Sequence, residues 1–348
     1  MRLLAAMSGG VDSSVAAALA VRGRHDVTGV TLKQWEHPDE ETRLVKGCCT
    51  LDAVDDARRA ADLLGIPHYT FDFREVFERE VVDPFVDAYA SGRTPNPCVR
   101  CNERVRFGAL LDKATALGFD GLVTGHYARA VDGRLFRAAN RDKDQSYVLH
   151  ALSAETLRRI VFPLGDFCSK DDVRSLARSI GLRNWSREDS VDVCFVDEGS
   201  SPGDVVARRR PMAVRPGPIV DTAGRTLGEH RGLAYYTVGQ RRGLGPVGSG
   251  RRAYVTTLDS ARNTLVVGER PESCALTAIR PRFVGDPPSD GARVGAVVRY
   301  RGAETPARFS STADGFRLDF DEPVRAVAPG QAAVLYDGEE VIGGGTIA

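Results

Sequence analysis

Residues Leu3 to Leu19 read Leu-Leu-Ala-Ala-Met-Ser-Gly-Gly-Val-Asp-Ser-Ser-Val-Ala-Ala-Ala-Leu. A short apolar run, a loop with two glycines and an Ala-rich run follow one another. That order reads as buried strand, tight loop and helix. The glycines allow the backbone to come close to a ligand. Loop amides and the first helix amides then converge on one point, where the helix dipole adds partial positive charge. Ser8 to Ser14 is therefore expected to hold a phosphate or pyrophosphate through backbone N–H groups and hydroxyls. It is not a Walker A loop, because no Lys follows the glycines. A plain corner capped by Ser or Asp is the bland alternative. Two glycines, Asp12 and three serines within seven residues favour the anion.

Outward from this loop, residues 1 to about 130 alternate strand and helix. Strands are expected at Asp26–Leu32, His68–Phe73 and Gly121–Thr124. Helices are expected at Thr50–Leu64, Val76–Tyr89 and Asn102–Leu117. Repeated strand–helix units imply a doubly wound parallel sheet, an α/β fold with helices on both faces. Ligands of such sheets sit beyond the carboxyl ends of the strands. Ser8–Ser14, Leu32 and Gly125-His126 should share that edge. Further on, Leu135–Arg137 reads as part of a hairpin, Ser169 as the cap of a helix ending at Gly181, and Val191–Val196 as a strand carrying Cys194.

After Pro202 the texture changes. Gly, Pro and Arg become dense, helical periodicity fades, and short β runs are expected at Pro218–Val220 and Tyr235–Val238. A hairpin is expected around Ala261-Arg262-Asn263. From about Thr277, strands and turns alternate every 8 to 12 or so residues, the pattern of a small antiparallel barrel. Three units follow: a nucleotide-binding α/β domain at 1–202, a basic β-rich module at 203–270 and a C-terminal β barrel at 271–348.

The chain has 348 residues, 42% hydrophobic and 27% charged, with zero net charge. These are values of an ordinary globular protein. No apolar run reaches the roughly 18 residues of a membrane helix, and the N-terminus lacks the pattern of a signal peptide. A cytoplasmic location is expected. Seven Cys, an odd number, argue against a disulfide framework and favour thiol or metal chemistry where they cluster. The charge is uneven. Val205 to Val255 holds ten Arg against Asp221 and Glu229, a surplus of +8. Such a segment suits a phosphate backbone, or is simply a solvated surface.

The second constellation is Gly92-Arg-Thr-Pro-Asn-Pro-Cys98-Val-Arg-Cys101-Asn102. Two prolines stiffen the loop, and Asn102 is a candidate helix cap. That would put Cys101 at a helix N-terminus, where the dipole, with Arg100 and Arg104, favours the thiolate. Structural zinc would need a second spaced pair, and Cys48-Cys49 is adjacent instead. Inert packing of both thiols is the plain alternative. Cys194 alone would read as a core residue, His126 as a satisfied structural histidine, and Lys143-Asp144-Gln145 as a solvated loop.

Taken together, SGGVDSS, GRTPNPCVRCN, GHYAR, KDQSYVL, VCF, YTVGQRRGLG and PGQAAVLYDGEEVIGGG resemble the tRNA-specific 2-thiouridylases, in order and over nearly the whole chain. SGGVDSS alone would indicate only the wider group of ATP pyrophosphatases. The resemblance implies ATP and Mg²⁺ as cofactors, tRNA as partner, and a sulfur donor such as a cysteine desulfurase or a sulfur-relay protein. It implies an ATP site at Ala6, Met7, Ser8, Gly9, Gly10, Val11, Asp12, Ser13, Leu32 and Gly125, with Asp12 needed for adenylation. It makes Cys101 the nucleophile and Cys194 the persulfide carrier, which would pass through a Cys101–Cys194 disulfide. It sets Asn96, Pro97, Cys98, His126, Lys143, Asp144, Gln145, Arg299, Tyr300 and Gln331 toward tRNA. One position departs from the family pattern: Cys98 stands where Asp is usual. Cys98, Cys101 and Cys194 therefore leave a [4Fe-4S] cluster open beside the persulfide relay. Two rival functions share parts of this pattern: a pyrophosphatase-loop ligase acting on a small carboxylate, and a tRNA-binding module with a vestigial loop.

Overall fold

The computed structural model describes residues 1–35, 51–187, 193–197, 199–244 and 253–348. Cys48, Cys49, Val191, Asp192, Arg251 and Arg252 lie outside them.

The N-terminal unit is built on a parallel sheet. Its strands are β1 (Arg2–Ala6), β2 (Asp26–Lys33), β3 (His68–Asp72) and β4 (Gly121–Val123). A hairpin, β5 (Ala128–Val131) and β6 (Arg134–Arg137), then intervenes before the short β7 (Ile160–Val161). The order is β3-β2-β1-β4-β7, with every neighbouring pair parallel. The chain winds outward from β1 to β3, then crosses to β4 on the other side. The reversal between β1 and β4 opens a crevice at their carboxyl ends. Leu3, Leu4 and Ala5 of β1 are at most 1% exposed, as expected of a central strand covered on both faces.

Helix α1 (Val11–Arg22) starts in that crevice. Ala16, Ala17, Ala18 and Ala20 are all buried, so α1 sits between the sheet and the helix Lys170–Ile180 instead of carrying a single apolar stripe. Helix α2 (Leu51–Leu64) buries Ala53, Ala57, Ala60 and Ala61 against the same layer. The expected cap at Ser169 is present, its hydroxyl accepting from the Asp172 N–H, and Gly181 ends that helix in the left-handed region.

Four local expectations are corrected. The helix that carries Cys101 begins at Pro97, not Asn102: Asn96 is the cap and accepts from the Cys98 N–H. Proline suits the first helical position because its missing N–H is not needed there. The helix runs on as a π-helical stretch, Cys101–Ala109, then as Leu110–Ala116. Val193–Val196 is a turn closed by the Val196 N–H on the Val193 carbonyl at 3.0 Å, so Cys194 is not on a strand. Leu233–Tyr235 is a 3₁₀ turn where a β run was expected. Finally, Pro202–Arg209 is helical, started by a capping box between Ser201 and Asp204.

The middle module pairs β8 (Gly217–Asp221), β9 (Thr226–His230), β10 (Tyr254–Asp259) and β11 (Thr264–Gly268) in the order β10-β11-β8-β9. The last unit holds β12 (Glu272–Phe283), β13 (Arg293–Val297), β14 (Thr305–Thr312), β15 (Gly315–Arg325), β16 (Ala332–Asp337) and β17 (Glu340–Ile347). These strands pair antiparallel, and β12 pairs with β17 to close the barrel. Phe309, Phe316, Leu318 and Leu335 fill it. β17 also takes β6 as a neighbour, so the hairpin of the N-terminal unit extends the barrel sheet. None of the described helices is long and apolar enough to cross a membrane.

Candidate functional site

The loop Ser8–Ser14 leaves β1 and turns into α1 with Gly10 as N-cap. The Ser8 N–H donates to Ser13 Oγ at 3.1 Å, and Ser13 Oγ donates to the Gly10 carbonyl at 3.0 Å. Gly9 has φ +75°, and a Cβ there would lie 2.2 Å from the Ala53 carbonyl oxygen. Only glycine fits that position. Gly125, just past β4, is as constrained: its Cβ would lie 2.7 Å from Asp12 C and Ser13 N. The start of α1 thus rests directly on the end of β4. Ala6 ends β1, Met7 follows it with its N–H donating to the Val30 carbonyl, and Leu32 lies near the end of β2. The ten residues expected around ATP therefore gather at the crevice mouth.

Three further side chains join this loop. Lys170 Nζ contacts both carboxylate oxygens of Asp12, at 2.6 and 2.7 Å, and the Tyr127 hydroxyl donates to Asp12 Oδ1 at 2.8 Å. Asn184 donates its amide to the Gly9 carbonyl at 2.9 Å and to Ser14 Oγ at 3.1 Å. Asn184 Oδ1 is buried with no hydrogen-bond partner among the described residues. Sequence reasoning missed Lys170 and Asn184, because both are more than 150 residues from the loop. Their local signals were a helix cap and a short polar turn.

The thiols lie to one side. Cys101 is buried, and its Sγ accepts a long contact of 3.8 Å from Gln34 Nε2. Gln34 directly follows β2, so this contact holds the thiol at the same sheet edge as the loop. Phe195 is buried edge-on against Phe85 and Phe77, with ring centres at 5.0 and 5.8 Å. Cys101 and Phe195 belong to one apolar cluster, and Cys194 packs against its margin, half-buried.

Cys98 is solvent-exposed at the first turn of its helix. Cys98, not Cys101, therefore holds the first-turn position where the helix dipole acts. Among the described residues no three His, Cys, Asp or Glu side chains are grouped to hold a metal ion. A [4Fe-4S] cluster would take Cys98, Cys101 and Cys194 as its three protein ligands.

Arg106 links the two halves of the site. Its guanidinium donates to Asn102 Oδ1 at 3.3 Å and reaches His126 Nε2 at 3.5 Å. His126 Nδ1 lies 2.8 Å from Thr124 Oγ1, and the ring is enclosed by Phe107 and Phe162. Burial first, and then the Arg106 charge, push the His126 pKa down to about 3. The ring is therefore neutral. Because guanidinium only donates, Nε2 accepts and the proton sits on Nδ1.

Other residues expected to face tRNA have internal partners. Asp144 accepts from the Ala138 and Ser146 N–H groups and from Ser146 Oγ, and Gln145 Oε1 accepts from the Tyr127 N–H. Gln331 Nε2 donates to the Thr94 carbonyl at 2.7 Å. Tyr300 stacks obliquely on Tyr147 at 5.9 Å, beside Arg299 in the turn between β13 and β14. Asn96, Pro97 and Cys98 form the loop-to-helix corner, and Lys143 ends a short 3₁₀ turn.

The basic segment divides likewise. Arg208, Arg209 and Arg210 pair with Asp197, Glu78 and Asp87 and pin the helix Pro202–Arg209 to its neighbours. Arg215, Arg241 and Arg242 are exposed.

The sequence of these elements matches known families throughout. A family model described as the tRNA methyl transferase HUP domain covers residues 1–198. Two more, described as the tRNA methyl transferase PRC-barrel domain and the aminomethyltransferase beta-barrel domain, cover 204–269 and 273–347. The tRNA-specific 2-thiouridylase MnmA of Moorella thermoacetica is 48% identical over 355 residues, spanning 99% of this chain and 98% of its own. The chain belongs to the tRNA-specific 2-thiouridylases. The thiouridylases of Streptomyces coelicolor and Thermobifida fusca are each 47% identical and span 100% of this chain, with 95% and 96% of their own. The family descriptions speak of methyl transferases, whereas these three relatives are named thiouridylases. Among solved structures, a 4-thiouridine synthetase–RNA complex with bound ATP aligns with 61% of this chain and 51% of its own, at 17% identity and a TM-score of 0.35. A score that low carries no argument about function.

Proposed function

We propose that the protein catalyses ATP-dependent 2-thiolation of the wobble uridine of tRNA. The observation that supports this reading most directly is one shared edge. The Ser8–Ser14 loop follows β1, and Gln34, which contacts Cys101 Sγ, follows β2. An anion-binding loop and a buried thiol beside each other suit activation of an oxygen followed by its replacement with sulfur.

The chemistry runs in two halves. The uracil C2 oxygen attacks the α-phosphorus of ATP; the bond to the bridging oxygen breaks and pyrophosphate leaves with that electron pair. Ser8, Gly9, Gly10 and Ser13 with the first amides of α1 would hold the phosphates. Mg²⁺, held by the phosphate oxygens and the Asp12 carboxylate beside them, would screen their charge. The terminal sulfur of a Cys194 persulfide then attacks C2, and AMP leaves with its oxygen. The Cys101 thiolate attacks Cys194 Sγ, the S–S bond breaks, and thiouridine is released. A Cys101–Cys194 disulfide remains for an external thiol to reduce. The sulfur donor is a protein or small molecule bearing a persulfide. The target base has to leave the anticodon stack to reach the crevice. His126, neutral and with both ring nitrogens held by Thr124 and Arg106, would shape the wall of the crevice and would not meet the base as a cation. A ligase acting on a small carboxylate would use the loop but leave Cys101 and Cys194 without a task.

The test supplies ATP, Mg²⁺, unmodified tRNA and a persulfide source, and measures pyrophosphate, AMP and 2-thiouridine by nucleoside analysis. Equal amounts of all three are expected. Pyrophosphate release that needs a small amine and ignores tRNA would overturn the proposal.

A further inference from the structure

Gly125-His126-Tyr127 follows β4 and reaches both halves of the site. His126 meets Arg106 of the thiol-bearing helix, and Gly125 packs on the backbone of Asp12 and Ser13. Tyr127 turns to the phosphate loop. Its ring is 2% exposed, within the apolar cluster that holds Val11, Val15 and Ala16 of α1. Its hydroxyl donates to Asp12 Oδ1 at 2.8 Å. One residue clamps its backbone from both sides. The Tyr127 N–H donates to Gln145 Oε1 at 3.0 Å, and the Gln145 N–H donates to the Tyr127 carbonyl at 2.8 Å. Backbone, ring and hydroxyl are thus all fixed. Lys170 also meets Asp12, but its ammonium touches both carboxylate oxygens, at 2.7 and 2.6 Å. The flexible stem of Lys lets the ammonium follow the carboxylate as it turns. The phenol has a buried ring and one contact. Of these two groups, only the phenol distinguishes Oδ1 from Oδ2.

We propose that Tyr127 is a positioning residue for Asp12: its hydroxyl holds Oδ1 and leaves Oδ2 as the oxygen that meets the Mg²⁺ of bound ATP. The inference rests on the adenylation chemistry proposed above. Tyr127 touches no substrate, and no covalent bond forms or breaks at it. Its effect is preorganisation. A carboxylate without this contact turns about its last torsion and must be ordered when the metal binds. A carboxylate with one oxygen on a fixed phenol presents the other at a set place. Such hydrogen bonds behind a metal-binding carboxylate orient it and tune its affinity. Gln145 supports the arrangement from behind, through the backbone of Tyr127.

The test uses Tyr127→Phe, which removes the hydroxyl and keeps the ring, with Mn²⁺ as the probe. Electron paramagnetic resonance reads the affinity of enzyme-bound ATP for Mn²⁺, and calorimetry reads ATP binding without metal. In Tyr127→Phe the Mn²⁺ affinity is expected to fall about tenfold, the scale of one hydrogen bond to a charged group. Metal-free ATP affinity is expected to change less than about twofold, since the loop amides that hold the phosphates are untouched. The Mg²⁺ concentration for half-maximal pyrophosphate release should rise by the same factor as the Mn²⁺ affinity falls. In an Asp12→Asn background, Tyr127→Phe is expected to change Mn²⁺ affinity less than about twofold, because the two act as one unit. An undiminished fall in that background overturns the proposal. So does an unchanged Mn²⁺ affinity in Tyr127→Phe, or an equal fall in metal-free ATP binding, which marks a merely structural tyrosine. If Tyr127→Phe does not fold, Gln145→Leu decides: it leaves the phenol in place, and a selective fall in Mn²⁺ affinity supports the proposal while its absence overturns it. Wild-type protein that binds Mn²⁺ and ATP but releases no pyrophosphate with tRNA counts against the proposed function, while the Mn²⁺ comparison still decides the role of Tyr127.

Discussion

Gln331, in the turn before β16, donates its side-chain amide to the backbone carbonyl of Thr94, two residues before the cap of the helix that carries Cys98 and Cys101. The Thr94 N–H donates to the Pro329 carbonyl at 2.8 Å, and its hydroxyl meets the Thr237 hydroxyl at 3.2 Å. The middle module and the C-terminal barrel therefore both hold one residue of the thiol-bearing loop. Gln331→Ala removes a hydrogen bond worth about 1 kcal/mol. The expected result is a thiolation rate lowered several-fold with MgATP affinity unchanged, since the phosphate loop lies elsewhere. Single-turnover thiolation beside ATP calorimetry reads the split, and an equal fall in both would refute it.

Cys101→Ser and Cys194→Ser are each expected to abolish 2-thiouridine formation and leave tRNA binding within about twofold. Cys98→Asp is expected to keep thiolation, because the persulfide relay uses only Cys101 and Cys194. Nucleoside analysis after incubation with a persulfide donor checks all three. Loss of activity in Cys98→Asp, together with about four irons in anaerobically purified wild type, would favour the cluster over the relay.

His126 makes stability depend on pH. Its folded pKa, about 3, lies below the ordinary 6.5, so between these values the unfolded chain binds more protons. The contribution is fully present above pH 6.5 and is lost as pH falls, at up to about 1.4 kcal/mol per unit. His150, also lowered by burial, adds the same sign. His126→Gln is expected to flatten the stability curve from pH 6 down to pH 4 in urea titrations. An unaltered slope would show that His126 is not the group responsible.

Arg241→Ala with Arg242→Ala is expected to weaken tRNA binding and reduce the slope of log K against log salt by about 1 for each phosphate no longer neutralised. Arg208→Ala is expected to leave that slope alone, because its charge is already paired with Asp197. Filter binding at several salt concentrations distinguishes the two. Equal slopes for both variants would remove the basic module from the tRNA footprint.

The α/β fold was legible because Leu3–Leu19 states strand, loop and helix in local chemistry. The barrel was legible because its strands recur at even spacing. The first helical turn at Pro97–Arg100 was not, since Asn96 and Asn102 are both good caps and proline at the first position decided between them. The turn at Val193–Val196 imitates a strand because its apolar residues pack against a cluster built by distant chain. Lys170, Asn184 and Arg106 escaped notice for a shared reason: each is an ordinary polar residue until another segment arrives beside it.

The sequence by itself determined the fold class, the strand–loop–helix run at Leu3–Leu19 and membership of the thiouridylases. Each is written in short-range patterns or in motifs kept in order. Tertiary structure alone decided which groups meet. It brought Lys170 to Asp12, Gln34 to Cys101 and Gln331 to Thr94, and it paired three arginines of the basic segment internally. Contacts between residues far apart in the chain depend on how helices and sheets pack, and no local spacing records that.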